Sequence, residues 1–388
     1  MKPSKRLDRI PPYAFAQLER KIADKRAAGV DVISLGIGDP DRPTPPLIVE
    51  AMQEAVTEAE THRYPSNRGR ADFREAVGDF YERRFDVDLD VETEIIPAIG
   101  AKEAIFNLNL AFLDPGDYAL AADPGYPVYT GGPWLAGAEP VLMALQPEHG
   151  FVPDLGAIDE DIARRAKLMF LNYPNNPTGA VVPDGFFERV VDFARAYEIL
   201  VVHDNAYSEI VFDGYEAPSF LATPGAKDVG IEVFSLSKGY NMTGWRCAVL
   251  VGDADALHTY WQLKTNIDSG LFEAVQLAAI AALSPDADSE VASMNELYRR
   301  RRDLVCEALE KIGVRVRPPH GTIYVWAPVP DGFDSSAAYA EHVLEQAGVV
   351  ISPGSIYGPA GEGWFRISLT TPDERLLEAV QRLGKLAA

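Results

Sequence analysis

Residues 168–179 of the chain read LMFLNYPNNPTG, four apolar residues followed at once by a segment rich in turn-forming residues. A short apolar run of this kind is typical of a strand that is buried on both faces of a parallel sheet. The prolines and the glycine after it do not extend the strand and predict a loop. This stretch therefore favours an α/β fold in which polar side chains directly follow a central strand.

The same arrangement recurs from Glu94 to Gly252, where apolar, β-branched runs alternate with stretches of helical period. The alternation predicts repeated βα units around a mainly parallel sheet. The predicted strands are Ile95–Ile99, Tyr118–Ala122, Leu168–Asn172, Leu200–His203, Glu232–Leu236 and Cys247–Val251. The predicted helices of this region are Ala101–Phe112, Gly185–Ala196 and Leu271–Leu283.

The C-terminal third has a different pattern. A long amphipathic helix starts near Asn295 and leads into short strands at 314–316, 323–327 and 364–369. This order of elements predicts a separate α+β unit. We expect a large α/β domain over residues 48–285 and a smaller α+β domain built from residues 1–47 together with 286–388.

The composition disfavours several classes of partner. Of the 388 residues, 36 are Lys or Arg and 58 are Asp or Glu, so the formal net charge is -22. This sign opposes binding to nucleic acid and to anionic membrane surfaces. The acid excess fits a solvated surface, with adaptation to salt as the alternative. Only Cys247 and Cys306 are present, which excludes a disulfide framework, and we expect a soluble cytoplasmic protein.

Polar residues follow each apolar run of the predicted sheet. In open α/β sheets ligands bind beyond the carboxyl ends of the strands, so these residues are expected to meet at one rim. The five clusters are Gly100 to Lys102, Asp123 to Tyr126, Tyr173 to Gly179, Asp204 to Tyr207 and Ser235 to Lys238.

Lys238 and Arg246 together indicate a phosphorylated carbonyl cofactor. A lysine at a strand end can be desolvated and lose its proton, which suits a covalent bond to a carbonyl group. Arg246 does not titrate and, with the hydroxyls of Ser235 and Ser237, can bind a phosphate. A single lysine after a strand is more often a surface residue, but the arginine eight residues later favours the functional interpretation.

Other strand-end residues fit the same kind of ligand. Asp204 ends an apolar strand, and a buried carboxylate needs a cationic partner such as a pyridinium nitrogen; a helix cap is the alternative. Tyr207, three residues later, can reach the same ring. The helix that begins near Ala101 offers free N–H groups to an anion. Tyr126 is either a core aromatic or a stacking platform.

Two segments in this order resemble those of a known family. Residues 172–179, NYPNNPTG, and residues 235–246, SLSKGYNMTGWR, are similar to motifs of the class I/II aminotransferases, fold type I enzymes that depend on pyridoxal 5'-phosphate (PLP). The resemblance extends from Ile33 to Ser368. It implies a mainly parallel central sheet flanked by helices, a smaller α+β domain, and a ping-pong transfer of an amino group between an L-amino acid and a 2-oxo acid.

The resemblance also implies site residues. The implied catalytic residues are Lys238, Asp204 and Tyr126. Lys238 would bind PLP covalently and move the substrate proton, Asp204 would pair with the pyridine nitrogen, and Tyr126 would stack on the ring. Asn176 and Tyr207 donate to the 3'-oxygen. The phosphate is bound by Ala101, Lys102, Ser235, Ser237, Arg246 and Tyr64, the last from a second subunit of a homodimer. The substrate is bound by Arg366, which takes its α-carboxylate, and by Gly38, Asn176, Tyr64 and Asn266; no metal is implied.

The chain resembles the LL-diaminopimelate aminotransferases in particular, which implies lysine biosynthesis and glutamate with 2-oxoglutarate as the shuttle pair. This similarity rests on residues 11–15, 34–41, 100–102 and 264–270. Plant-type members carry a glutamate that helps to read the distal amino group, where this chain has Asn67. Aspartate-selective members use a second arginine, which the loop 264–272 lacks; Lys264 or Asn266 is the alternative there.

Other functions stay open at this point. The enzyme could use alanine, methionine or other neutral or aromatic amino acids, or be a PLP-dependent C–S lyase or decarboxylase, because the cofactor residues do not fix the fate of the carbanion. A PLP-containing transcription regulator needs an added DNA-binding domain, for which we expect no room. A nucleotide-binding oxidoreductase is disfavoured because residues 36–41 lack the third glycine of a dinucleotide fingerprint. His203 is expected to be a packing residue and not a metal ligand, since no zinc-type spacing accompanies it.

Overall fold

The structure is a computed structural model that describes residues 2–11 and 14–387. The strands are β1 Ile33–Ser34, β2 Ile95–Ala98, β3 Tyr118–Asp123, β4 Glu139–Ala144, β5 Ala166–Leu171, β6 Leu200–Asn205, β7 Gly230–Ser235, β8 Ala248–Gly252, β9 Tyr324–Pro328, β10 Val349–Val350, β11 Ser352–Pro353 and β12 Trp364–Ser368. The helices are α1 Ala14–Ala27, α2 Pro46–Ala55, α3 Ala71–Phe85, α4 Ala101–Phe112, α5 Val128–Ala136, α6 Glu160–Ala163, α7 Phe186–Tyr197, α8 Leu236–Gly239, α9 Ala254–Lys264, α10 Glu273–Leu283, α11 Asp288–Lys311, α12 Ser336–Ala347 and α13 Asp373–Gly384.

A sheet of seven strands forms the centre of the larger core, in the order β2-β8-β7-β6-β5-β3-β4. All neighbouring pairs are parallel except those of β8, which runs antiparallel to both β2 and β7. The predicted α/β fold with a mainly parallel sheet is therefore confirmed. The edge strand β4 was not predicted, because its largely exposed residues lack the continuous apolar run of the central strands.

Helices cover both faces of this sheet. One hydrophobic cluster packs α3, α7 and α10 on one face, and a second packs α4, α5 and α9 on the other. Side chains of a strand alternate between the two clusters, as Met169 and Phe170 of β5 do. The helix predicted at Ala101–Phe112 has those bounds in the structure. The central strands of the sheet are thus buried on both faces, which explains why they read as apolar runs.

A smaller core, separate from the two clusters of the seven-stranded sheet, lies against α11, α12 and α13. It holds the three-stranded antiparallel sheet β11-β12-β9. The short strands β1 and β10 pair in parallel beside it. The strand predicted at 314–316 is wrong: Val314 and Val316 are buried and Arg315 is exposed, but this segment pairs with no strand of the described residues. The prediction rested on the sequence of the segment alone, and a strand also needs a neighbour for its hydrogen bonds. The domain division at residues 48 and 285 stays a prediction.

Two further observations bear on the sequence analysis. Within residues 2–11 and 14–387, no helix combines the length and the apolar character that crossing a membrane requires. Pro12 and Tyr13, which belong to the stretch 11–15 used for the resemblance, lie outside the described residues.

Candidate active site

The carboxyl ends of β2, β3, β5, β6 and β7 open onto one cavity of about 300 Å³. The loop that follows β1 and the strands β9 and β12 close its other side. Twelve of the residues singled out from the sequence line it, namely Gly38, Ala101, Lys102, Tyr126, Asn176, Asp204, Tyr207, Ser235, Ser237, Lys238, Arg246 and Arg366. Residues that are far apart in the chain therefore meet at one rim, as expected of an open α/β sheet.

Asp204 is a buried carboxylate at the end of β6, with 5% of its surface exposed. Its Oδ2 atom accepts a 2.8 Å hydrogen bond from the hydroxyl of Tyr129, whereas Oδ1 has no partner among the described residues. Burial raises the pKa of Asp204 to about 6, although the bond from Tyr129 opposes the rise. The carboxylate thus needs a donor or a cation at Oδ1.

Asn172 ties the ends of β5 and β6 together. Its Nδ2 atom donates to the carbonyl of Asp204 at 2.6 Å, and its Oδ1 atom accepts from the backbone N–H of Asn176 at 2.7 Å. The side chain of Asn176 is then held against the cavity, where its Oδ1 atom accepts from Nη1 of Arg366 at 2.8 Å. Asn172 therefore positions both Asp204 and Asn176 through backbone contacts.

Arg366 is buried on β12, with 1% of its surface exposed. Besides the bond to Asn176, its Nη2 atom donates to the carbonyl of Gly36 at 2.8 Å. The guanidinium lies over the ring of Tyr324, 3.8 Å from the ring centroid. A guanidinium held in this way offers a rigid fork to a carboxylate.

Lys238 lies on the short helix α8, directly after β7. Desolvation lowers the pKa of its amine, against the charges of Tyr324 and Asp39, which raise it. The Nζ atom donates to the carbonyl of Gly38 at 2.5 Å. A lysine with a lowered pKa is the type of amine that can act as a nucleophile and as a base.

The opposite corner of the cavity is cationic. Arg246 lies against Gly100, where a Cβ atom would overlap the guanidinium in its present position. Gly100 also has a φ of +86°, and α4 begins at the next residue, so that Ala101 and Lys102 of its first turn line the cavity. Desolvation and the charge of Arg246 lower the pKa of Lys102. Two cations and a helix start form an anion site here.

Three candidates from the sequence lie elsewhere. Tyr64 is 88% exposed, and the side chain of Asn266 donates to the carbonyl of Gln262 in its own helical turn at 2.9 Å; neither lines the cavity of the single chain. Lys264, considered as a substrate ligand, is buried and forms an ion pair of 2.6 Å with Asp268. That interpretation of Lys264 is wrong, because its ammonium is already neutralised outside the cavity.

Comparisons with known proteins agree with this geometry. The family model of class I and II aminotransferases matches residues 30–383. The chain belongs to the class I and II aminotransferases. The LL-diaminopimelate aminotransferase of Desulforudis audaxviator is 57% identical over 98% of this chain and 96% of its own length. That of Moorella thermoacetica is 53% identical over 100% and 98%. The solved structure of substrate-bound BacF from Bacillus subtilis is 38% identical, with a TM-score of 0.96 over 100% of this chain and 98% of that chain.

The aminotransferase family depends on PLP, and the cavity fits this cofactor. PLP combines a phosphate, a basic ring nitrogen and a carbonyl group. The cationic corner at Gly100 and Arg246 suits the phosphate, the unpartnered Oδ1 of Asp204 suits a protonated ring nitrogen, and Lys238 suits the carbonyl. The fit rests on a buried carboxylate atom that finds no other donor among the described residues.

Tyr129 and Tyr324 line the cavity of this aminotransferase but were not singled out from the sequence. Tyr129 lies three residues after Tyr126, one helical turn away at the start of α5, and this spacing is a signal that the sequence did contain. Tyr324 lies in an apolar run, and nothing in the local sequence distinguishes it from a core tyrosine. Only the pairing of β9 with β12 brings it beside Arg366.

His203 is buried beside Asp204 and faces the other side of the sheet. Its Nε2 atom accepts from the backbone N–H of Tyr173 at 3.3 Å, and its ring packs against Phe187 and Phe220. The expected packing role thus matches its surroundings in the aminotransferase.

Proposed function

We propose that this aminotransferase uses LL-diaminopimelate as a substrate, with glutamate and 2-oxoglutarate as the second pair. The observation that carries the proposal is the identity of 57% and 53%, over nearly the whole chain, with two proteins named LL-diaminopimelate aminotransferase. A place in lysine biosynthesis and in the cytoplasm belongs to the same proposal.

The proposed cofactor contacts follow from the charges of the cavity. The phosphate is bound at the start of α4 and by side chains beyond β7, that is by Ala101, Lys102, Ser235, Ser237 and Arg246. Asp204 pairs with the ring nitrogen, Tyr126 stacks on the ring, and Asn176 and Tyr207 donate to the ring oxygen. When bound, PLP supplies a carbonyl for the lysine and an electron-poor ring that stabilises negative charge at the substrate α-carbon.

In the proposed mechanism the protein binds, orients and moves a proton. Arg366 binds the α-carboxylate, and its guanidinium is itself held by Gly36, Asn176 and the ring of Tyr324. Lys238 has an amine of lowered pKa, so its Nζ atom can act as a base and take the proton from the substrate α-carbon. As an acid, the same atom would then give a proton to the carbon of the cofactor's carbonyl group. Asp204 stays ionised when a cation lies at Oδ1, because an opposite charge offsets the burial that raises its pKa.

A homodimer with shared active sites is part of the proposal. Tyr64 is 88% exposed, and the neighbouring loop exposes Ile267 at 50% and Phe272 at 40%. The loop packs on the Tyr64 segment, since Gly270 lies beside Pro65 and Ser66. Contiguous exposed apolar side chains are typical of an interface, and a second copy of the chain would bring Tyr64 to the neighbouring phosphate and substrate. The domain division at residues 48 and 285 is proposed with it.

The test is the absorption spectrum of the purified protein before and after single amino acids. LL-diaminopimelate and glutamate are expected to convert the bound PLP to its amino form, while aspartate, alanine and methionine convert it slowly or not at all. Conversion by alanine or methionine alone would favour the aminotransferases of neutral amino acids. Release of pyruvate and ammonia without an oxo-acid acceptor would favour a C–S lyase.

Lys238→Ala tests the site itself. The variant is expected to lose turnover and the covalent absorption band, whereas Lys311→Ala, an exposed lysine at the end of α11, keeps both. Turnover at the wild-type rate in the Lys238 variant would contradict the assignment.

A further inference from the structure

Besides Asp204, two exposed carboxylates line the active-site cavity. Asp39 follows the loop glycine Gly38, and Glu19 lies on α1; both are exposed and border the cavity. Neither makes a hydrogen bond or an ion pair with any described residue. Asp41, two residues further on, differs sharply because Arg301 holds it at 2.6 Å and 2.9 Å.

Other carboxylates of the surrounding elements form ion pairs within the protein. Lys25 of α1 pairs with Glu345 at 2.5 Å, and Arg301 bridges Asp41 to Asp373. Asp39 and Glu19 differ from other exposed acids such as Asp24 in that they border the active-site cavity, where a ligand can reach them. The charge of Asp39 also reaches into the cavity, since it raises the pKa of Lys238 against the desolvation that lowers it.

The position of Asp39 fits the far end of a long substrate. Arg366 donates to the carbonyl of Gly36, and Asp39 follows only three residues later in the same loop. Three residues of extended chain span at most about 11 Å. A ligand whose α-carboxylate lies on Arg366 can thus place a second polar group beside Asp39.

We infer that Asp39, together with Glu19, binds the distal ammonium group of a diamino dicarboxylate substrate. This inference rests on the proposed function, because LL-diaminopimelate carries such a group and glutamate does not. Asp39 and Glu19 are then specificity-determining residues: their carboxylates attract a distal end that carries an ammonium group and repel a distal end that carries a carboxylate alone. Lys238, Asp204 and Arg366 bind the parts that all amino acids share.

The experiment compares Asp39→Asn and Glu19→Gln with the wild-type holoenzyme. The two substrates are LL-diaminopimelate and L-2-aminopimelate, which has the same carbon chain and both carboxylates but no distal amino group. KM and kcat are measured for each with saturating 2-oxoglutarate. Where turnover of 2-aminopimelate is too slow, its inhibition constant against LL-diaminopimelate takes the place of KM. Asp24→Asn on the exposed face of α1 is the matched control.

Each active-site variant is expected to raise KM for LL-diaminopimelate about fivefold, the effect of an ion pair that keeps contact with water. The value of kcat stays within about twofold, and the constant for 2-aminopimelate stays the same or falls, because this substrate has no distal ammonium to lose and keeps a distal carboxylate of like charge. Asp24→Asn leaves all values unchanged.

Two outcomes would overturn the inference. Equal weakening of both long substrates would mean that the carboxylates act only through the cofactor or Lys238, and unchanged constants would mean that they do not touch the substrate. A wild-type enzyme that does not convert LL-diaminopimelate at all contradicts the proposed function instead. The failures of the two proposals are therefore distinguishable.

Discussion

The hydroxyl of Tyr324 occupies the space that a Cβ atom on Gly38 would need. The same hydroxyl lies 3.2 Å from that of Tyr207, and the carbonyl of Gly38 accepts from Nζ of Lys238. The glycine is required here by close approach, since its backbone has no positive φ. The loop after β1 and the residues beyond β7 thus meet at this contact.

Gly38→Ala is expected to displace either Tyr324 or the loop. Overpacking at a buried contact costs about 1–3 kcal/mol, so we expect lower stability together with a higher KM for the amino acid. The control is Gly384→Ala at the end of α13, where a Cβ atom meets nothing within 4 Å. Urea unfolding and steady-state kinetics measure both effects, and a Gly38 variant that behaves like the Gly384 variant would contradict the prediction.

Tyr324→Phe and Tyr324→Leu separate the two contacts of this tyrosine. Burial raises the pKa of Tyr324, but the charges of Arg366 and Lys238 outweigh burial and lower it, and its hydroxyl shares a 3.2 Å hydrogen bond with that of Tyr207. Phenylalanine keeps the ring under Arg366 and is expected to change KM only slightly. Leucine removes the cation–π contact, and KM is expected to rise about tenfold. Similar KM values for both variants would show that the ring does not position the arginine.

Asp204→Asn is expected to stabilise the protein without cofactor at neutral pH. The pKa of Asp204 is about 6 in the folded chain and 3.8 in the unfolded chain, so the folded state holds a proton that the unfolded state loses between these values. Stability therefore falls by about 3 kcal/mol as the pH rises from 4 to 6, and asparagine removes this loss.

Urea unfolding of both proteins at several pH values checks the sign. The stability difference between variant and wild type is expected to grow up to about pH 6 and then stay constant. The same variant is expected to lose about a hundredfold in kcat, because the carboxylate is missing from the ring nitrogen. If the variant is less stable than the wild type at pH 7.5, burial does not raise the pKa of Asp204 as inferred.

Lys264→Met is expected to lower the free energy of unfolding by about 3 kcal/mol, since it leaves a buried pair broken. Lys264 is 1% exposed, with Asp268 at 2.6 Å and Glu103 at 3.5 Å. The double variant with Asp268→Asn is the control and is expected to recover part of the loss. Full stability of the single variant would contradict the buried-pair interpretation.

The sequence allowed the prediction of much of the cofactor side of the cavity. Strands such as β5 and β7 are apolar because both faces are covered, and their polar continuations are local in sequence. The direction of a parallel sheet then places Asn176, Asp204 and Lys238 at one rim without any knowledge of the strand order.

The rest depends on pairings that are distant in sequence. Tyr324 becomes a site residue only because β9 pairs with β12, and Lys264 is neutralised by an aspartate in the following turn instead of facing a substrate. The sequence at 314–316 predicted a strand, but a strand exists only where a neighbour offers hydrogen bonds, and that neighbour cannot be read from the segment.

Arg366 is fixed before any substrate arrives. Its guanidinium bonds to Gly36 and Asn176 and rests on an aromatic ring, so folding has already removed most of the rotational freedom of its side chain. Immobilising a long side chain on binding costs about 0.5–1.5 kcal/mol, and this cost is absent here. A carboxylate that binds Arg366 therefore gains nearly the full strength of the charged contact, with little change in the order of the protein.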